Sequence, residues 1–342
     1  MTTIRYPWET PPENGEMVEI AEGVHWLRLP LPMKLDHVNI YVLDDGDGWT
    51  LIDTGMKTRR VQAMWQALLE GPLRRKPVKR VVATHHHPDH IGLHGWFVEE
   101  FGAEYVSTQV AYLMGRMLTL DVEERYTTGQ IAFYRRAGMR SDLLAARQDE
   151  RPFNFSDMVH PIPIGFTRIQ EGDVIEMGGR RWDVRVDHGH APDHATFWSR
   201  DDNLVLCGDQ VIPSISSNIG VYLTEPDANP LADWLRSCAR LQDFARADHL
   251  ALPGHKLPFI GMPLRLRQLE ENHHGALTRL RADLKTPKTV GEVMMAIFKR
   301  QIGDGEYGLG LVEALAHCNY LWHAGEVTRS LHQDGAYRWV MK

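Results

Sequence analysis

The sequence predicts a layered α/β protein. Three observations predict it: short apolar runs that end in loops rich in His and Asp, helix-period segments between those runs, and a second half that repeats the plan. Val38-Asn39-Ile40-Tyr41-Val42-Leu43 alternates as a strand, Gly46-Asp47-Gly48 turns the chain, and Trp49 to Ile52 returns toward Asp53. Val61, Trp65, Leu68 and Leu69 recur at helical spacing, so a helix covers one sheet face and ends at Gly71-Pro72. Val81-Val82-Ala83 is the next strand, and a helix runs from about Leu93 to Phe101 with Gly102 as its stop. In the second half, Val174 to Met177 and Arg181 to Val186 flank Gly178-Gly179, a hairpin signal. The strands Leu204 to Cys207 and Leu250 to Leu252 complete the plan.

Residues from about 108 to 160 do not belong to it. Val110, Tyr112, Leu113, Met114 and Met117 indicate one helix, Ile131, Phe133 and Tyr134 another, and Leu143-Leu144 a short third. This segment reads as an inserted helical cap that selects substrate, or as a dimer surface or simple packing. From about Met262 the composition changes again. Leu264, Leu266, Leu269, Leu277, Leu280 and Leu284 mark a long helix, and Thr289-Val290-Gly291-Glu292 is a capping box before a second. Leu311, Leu315, Cys318 and Leu321-Trp322 outline a third helix stopped by Gly325, and Val327 to Val340 reads as a hairpin around Asp334-Gly335. Three helices and a hairpin resemble a winged-helix domain. The expected division is a domain over 1–260, carrying the 108–160 insertion, and a small winged-helix-like domain over 261–342.

Composition bounds the reading further. At 342 residues the chain exceeds one average domain. Its 43% apolar content is that of a globular protein, and no apolar run approaches the ~18 residues that span a bilayer, so no membrane partner is expected. The first ten residues lack a charged segment followed by an apolar stretch, so no secretory signal is expected. Cys207, Cys238 and Cys318 lie far apart and give no disulfide framework, which makes a reducing cytoplasm the expected location. A net charge of -7 argues against a nucleic-acid partner, because phosphate binding draws on Lys and Arg.

Chemistry is concentrated in Thr84-His85-His86-His87-Pro88-Asp89-His90, at the end of the Val81 strand. His85-x-His87-x-Asp89-His90 places four donors in six residues. Imidazole and carboxylate are the ligands that a borderline cation such as Zn2+ takes in catalytic sites. Other His and Asp residues sit at comparable strand ends: Asp53 in Asp53-Thr54-Gly55, His190 in Asp187-His188-Gly189-His190-Ala191-Pro192-Asp193-His194, Asp209 after Cys207-Gly208, and His255 after Pro253-Gly254.

These five regions, in this order, resemble the metallo-β-lactamase superfamily. The resemblance implies an αβ/βα metallo-β-lactamase sandwich with its site along one sheet edge. It implies that His85, His87 and His190 bind a first metal, that Asp89, His90 and His255 bind a second, and that Asp209 touches both. Asp53 would support the metal loop from outside. This donor set is that of the hydrolase branches with two metals, since no cysteine stands at a ligand position; Cys207 reads as a small buried hydrophobe. Two Zn2+ are expected, with Fe or Mn as the alternative at the second position.

Two cations roughly 3.5 to 4 Å apart can hold a shared water and lower its pKa from 15.7 to about 7, giving a bridging hydroxide nucleophile. Asp89 is the expected catalytic residue, binding one metal and orienting that hydroxide. The function implied is hydrolysis of an ester, thioester or lactone carbonyl of a small molecule, resembling hydroxyacylglutathione hydrolase and related enzymes at the metal centre. A homodimer is compatible with this reading. The rival comes from the tail and from His190-x-x-Asp193-His194, which resemble the branch containing β-lactamase-like protein 2. Some members of that branch cut single-stranded RNA, so the alternative is a metal-dependent endoribonuclease. Iron-dependent oxidative chemistry and a silent metal site are weaker alternatives.

Other residues carry expectations too. Asp193 and His194 are expected to orient His190 by hydrogen bonding, with helix capping an equal role for Asp193. His86 should point away from the ligands, toward a supporting position or the surface. His94 is expected to line the mouth of the site, Trp182 to pack, and His273 and His274 to face solvent or the domain seam.

Overall fold

A computed structural model describes residues 3–342. Its first sheet has seven strands in chain order: β1 (Met17–Ala21), β2 (Val24–Pro30), β3 (His37–Asp44), β4 (Trp49–Ile52), β5 (Val78–Val82), β6 (Glu104–Ser107) and β7 (Thr167–Arg168). The first four are antiparallel, and β4 to β7 run parallel. Parallel neighbours need long crossovers. Those are α1 (Arg59–Glu70), then α2 (Pro88–Ile91) with α3 (His94–Phe101), and last the insertion, α4 (Gln109–Leu120), α5 (Thr128–Arg136), α6 (Ser141–Asp149) and α7 (Phe155–Met158).

The second sheet has six strands: β8 (Val174–Met177), β9 (Arg180–Asp187), β10 (His194–Ser199), β11 (Leu204–Gly208), β12 (Leu250–Pro253) and β13 (Phe259–Ile260). Gly178 and Gly179 join β8 to β9 with φ of 56° and 66°, the left-handed pair that a tight hairpin turn demands. α8 (Pro230–Gln242) carries the chain from β11 to its parallel neighbour β12. Three helices follow, α9 (Met262–Asp283), α10 (Val290–Phe298) and α11 (Asp304–His323), and then the hairpin β14 (Val327–Leu331) and β15 (Tyr337–Met341). The capping box at Thr289 and Glu292 forms, each side chain bonding the other's backbone N–H.

Strand alternation distributes the apolar residues into three cores. Ile52, Val82, Leu206 and Leu252 point between the sheets, where they meet Trp26, Trp182 and Phe197. Leu51 and Val81 point outward, under Val61 and Trp65 of α1 and Phe97 of α3. On the other side Val205, Cys207 and Ala251 meet Trp234 and Leu241 of α8. The layers are therefore α/β/β/α. The third core does not stop at α8: it continues through Leu266 and Leu277, Val293, Leu311 and Leu321 to Trp339 of β15, and takes in Phe133 and Met139 from the insertion. The C-terminal helices are thus built onto the outer face of the second sheet. Cys207, Cys238 and Cys318 are buried and unpaired. Among the described residues no helix is long and apolar enough to cross a membrane.

Candidate metal centre

Each candidate ligand follows the carboxyl end of a strand, so the αβ/βα arrangement collects them along one edge. β4 delivers Asp53, β5 the stretch from Thr84 to His90, β9 the loop with His190, β11 Asp209, and β12 His255. The structure brings all seven expected donors together. Donor atoms of His85, His87 and His190 lie within 4.8 Å of one another, as do those of His85, His90 and Asp209, and those of Asp89, His90 and His255. His87 Nδ1 is 3.0 Å from both His85 Nε2 and His190 Nε2. Asp209 sits between the groups, its Oδ2 3.5 Å from His190 Nε2 and 3.2 Å from His255 Nε2, its Oδ1 3.5 Å from His90 Nε2. Asp89 Oδ2 is 3.4 Å from His255 Nε2.

Four of the five rings direct a proton outward. His90 Nδ1 donates to Asp53 Oδ2 (2.7 Å), His190 Nδ1 to the Asn218 carbonyl (2.8 Å), and His255 Nδ1 to the His37 carbonyl (2.7 Å). The Thr84 hydroxyl spends its proton on Asp53 Oδ2 (2.8 Å) and so accepts from His85 Nδ1 (3.0 Å). In each case the nitrogen facing the cluster is left as a potential donor to a cation. His90 Nε2 and Asp209 Oδ1 are buried without a hydrogen-bond partner, a costly state that a bound cation relieves. The donor set therefore fits two metal ions.

Electrostatics divide the cluster. Burial, then neighbouring imidazoles, push His85 well below the usual histidine range; burial with His190 does the same to His87. Burial also opposes charge on His90 and His255, but the Asp209 and Asp89 carboxylates outweigh it, raising His90 well above its ordinary value and His255 to about 10. Burial alone would raise Asp209; His255 and His90 overcome it and hold its carboxyl well below the usual range. Burial lowers His190 as well, so positive charge is disfavoured on the three imidazoles of one group and favoured on His90 and His255 by the carboxylates beside them.

Asp53 clamps the metal loop from below. Its Oδ1 accepts the Thr84 backbone N–H (2.9 Å) while Oδ2 takes Thr84 Oγ1 and His90 Nδ1. It does so at φ 63°, in the left-handed region that Asp tolerates better than most residues. Gly254 makes room for the centre: a Cβ there would lie 2.3 Å from Asp209 Oδ1 and 2.8 Å from His90 Cε1.

Some of the remaining expectations are corrected and others agree with the structure. Asp193 neither orients His190 nor caps a helix. Its backbone N–H faces His188 Nδ1 (3.3 Å), its carbonyl accepts from Thr108 Oγ1 (2.9 Å), and the strand β10 begins at the next residue. His194 acts on different partners from the one expected, accepting the Asp209 N–H at Nε2 (3.0 Å) and stacking on His85 with centroids 4.6 Å apart. His86 does point away from the ligands, yet it is buried, stacked against Phe155 of α7. His94 is fully buried behind the site, bonded to Thr54 Oγ1 (2.9 Å), because the first turn of α3 faces the core. His273 is buried at the seam between α9 and α11, and His274 is exposed. Trp182 packs between the sheets and donates to the Met177 carbonyl. Sequence reasoning missed Asn218 and His37, which act through backbone carbonyls that every residue carries.

Comparison with known proteins agrees with this geometry. Residues 33–255 match the Metallo-beta-lactamase superfamily, and residues 277–342 match "Metallo-beta-lactamase-like, C-terminal domain". The chain belongs to the metallo-beta-lactamase superfamily and is, by class, a metallo-hydrolase with candidate His/Asp metal clusters. It is 26% identical over 330 residues to the "Probable metallo-hydrolase YqjP" of Bacillus subtilis (strain 168), covering 94% of this chain and 99% of that one. A beta-lactamase domain protein from Burkholderia ambifaria superposes with TM-score 0.90 at 34% identity, over 99% of this chain and 98% of that one. A metallo-beta-lactamase family protein from Thermus thermophilus gives 0.79 at 29%, over 95% and 100%.

Proposed function

We propose that the protein is a dinuclear zinc hydrolase acting on an ester, thioester or lactone carbonyl of a small molecule. The observation that carries this reading is the convergence of seven donors, four of them imidazoles (His85, His90, His190 and His255) whose outward N–H groups are already engaged, leaving a ring nitrogen on each turned toward the cluster. His85, His87 and His190 would hold one ion, Asp89, His90 and His255 the other, with Asp209 between them. When bound, such a pair of ions supplies an activated water at neutral pH and neutralises charge developing on the attacked oxygen. Asp89 is the most open of the three acids at the centre: its side chain is 18% exposed, against 8% for Asp209 and 3% for Asp53. It is therefore the group assigned to orient the attacking water and receive its proton.

The tail favours a small substrate over RNA. Five of its cations are engaged within the molecule: Arg265 bonds the Ile212 and Ile215 carbonyls, Arg279 those of Ala296 and Ile297, Arg281 pairs with Glu326, Lys288 with Asp283, and Arg300 with Glu306. On the hairpin, Trp339 is buried and Arg329 lies across Trp322 and Tyr337, so these rings are occupied rather than offered to bases. The three helices and hairpin act, in this reading, as a winged-helix-like packing module. Substrate selection is assigned to the insertion. α4 lies beside the metal loop, where a Cβ on Gly115 would come within 3.8 Å of His86 Cβ.

The test is metal content together with a substrate panel. Two zinc ions per chain and turnover of thioesters or lactones, both lost in His85→Ala, are expected. Cleavage of unstructured RNA with no acyl turnover would replace this reading with the ribonuclease.

A further inference from the structure

The stretch from Gln210 to Val221 has no regular secondary structure. It leaves the centre at Asp209 and returns to it at Asn218, whose carbonyl receives the His190 Nδ1 proton at 2.8 Å. Between these points it is tied to the C-terminal helices. Arg265 of α9 donates from Nε to the Ile212 carbonyl (2.6 Å) and from Nη2 to the Ile215 carbonyl (2.7 Å). His273 Nε2 meets Ser216 Oγ at 3.2 Å. The Asn218 side chain donates from Nδ2 to Glu313 Oε2 of α11 (2.8 Å) and toward the Leu309 carbonyl (3.3 Å), and Val221 N–H donates to the Val312 carbonyl (3.1 Å). Two acceptors on one side of the Asn218 amide fix its orientation with Nδ2 toward α11.

A histidine that binds a metal depends on the acceptor behind it, and loss of that acceptor typically weakens metal binding 10- to 100-fold. For His190 the acceptor is a loop carbonyl, so its position is set by whatever holds the loop. We infer that the C-terminal helices are part of the metal centre, with Glu313 acting through the Asn218 side chain as a positioning residue for His190. The inference rests on the reading of His190 as a ligand. It gives the tail a role beyond packing: α11 holds the donor geometry of one of the two ions. Glu313 is held at the Asn218 contact, where burial pushes its carboxyl up to about 7, so a neutral glutamine preserves the acceptor.

The experiment is a competitive chelator titration of zinc on the full-length chain, paired with the absorption spectrum of its cobalt-substituted form. E313A and N218A are each expected to weaken one of two ions about 10- to 100-fold, alter the cobalt spectrum and leave the other ion unchanged. E313Q should restore wild-type affinity and spectrum. Should E313A fail to fold, N218A carries the test, since it cuts the same link with α11 intact. Wild-type affinity for both ions in E313A and N218A would overturn the inference. So would an equal loss of both ions that E313Q does not rescue. The metal reading is judged separately: wild type binding fewer than two ions, or H190A keeping both, refutes that reading.

Discussion

The two sides of the centre are built differently. The first sheet contributes His85, His87, Asp89 and His90 from one turn, held by a single carboxylate, Asp53. The second contributes His190, Asp209 and His255 from three separate loops. Those are held by the Asn218 carbonyl, by His194 and by the His37 carbonyl. A local turn with one clamp resists remote changes, whereas a side assembled from loops inherits the stability of everything packed behind them.

The largest effect is expected where the sides meet. Asp209→Ala removes the group shared by both, so hydrolysis should fall to background and at least one metal should be lost, as measured by elemental analysis and a rate assay. Retention of both ions would show that the sides are independent. Gly254→Ala comes next, because a methyl group 2.3 Å from Asp209 Oδ1 and 2.8 Å from His90 must displace them. We expect weakened metal binding and about 1–3 kcal/mol of lost stability in thermal melts; wild-type values in both would mean the loop yields. Asp53→Asn should weaken zinc about 10- to 100-fold in a chelator titration. That loss should fall first on the ion assigned to Asp89, His90 and His255, because His90 bonds Asp53 directly, while Asn218→Ala affects the ion assigned to His85, His87 and His190.

The smallest effect is a dependence on pH behind the second side. His273 and His317 are buried neutral between α9 and α11; burial, then neighbouring charge on His273, lowers them to about 3 and about 4. Unfolded, each takes a proton near pH 6.5. The folded state therefore binds fewer protons between those values, and their contribution to stability, full above about pH 6.5, is lost as pH falls toward 4. His317→Gln should flatten the fall in melting temperature between pH 7 and 4.5; an unchanged slope would remove the seam from the account.

The same contrast explains what can be read in advance. The His85 to His90 turn is legible because its donors are consecutive, and β11 because Leu204 and Leu206 alternate with Val205 and Cys207. The acceptors at Asn218 and His37 are not, since a carbonyl leaves no trace in residue identity. Proximity in sequence pairs His194 with His190, but as the first residue of β10 it turns toward His85 and Asp209. The local pattern makes His86 a supporting or surface residue; Phe155, far along the chain, buries it. Such coverings depend on tertiary packing, which a local pattern does not encode.

The unbroken apolar cluster from Val205 and Cys207 to Trp339 sets a rule for rebuilding the molecule. A chimaera that borrows its tail from a relative must also inherit the outward side chains of β11 and β12, the whole of α8, and the segment from Gln210 to Val221. Spliced at residue 261, the borrowed helices would meet a foreign surface directly behind the strand that presents Asp209.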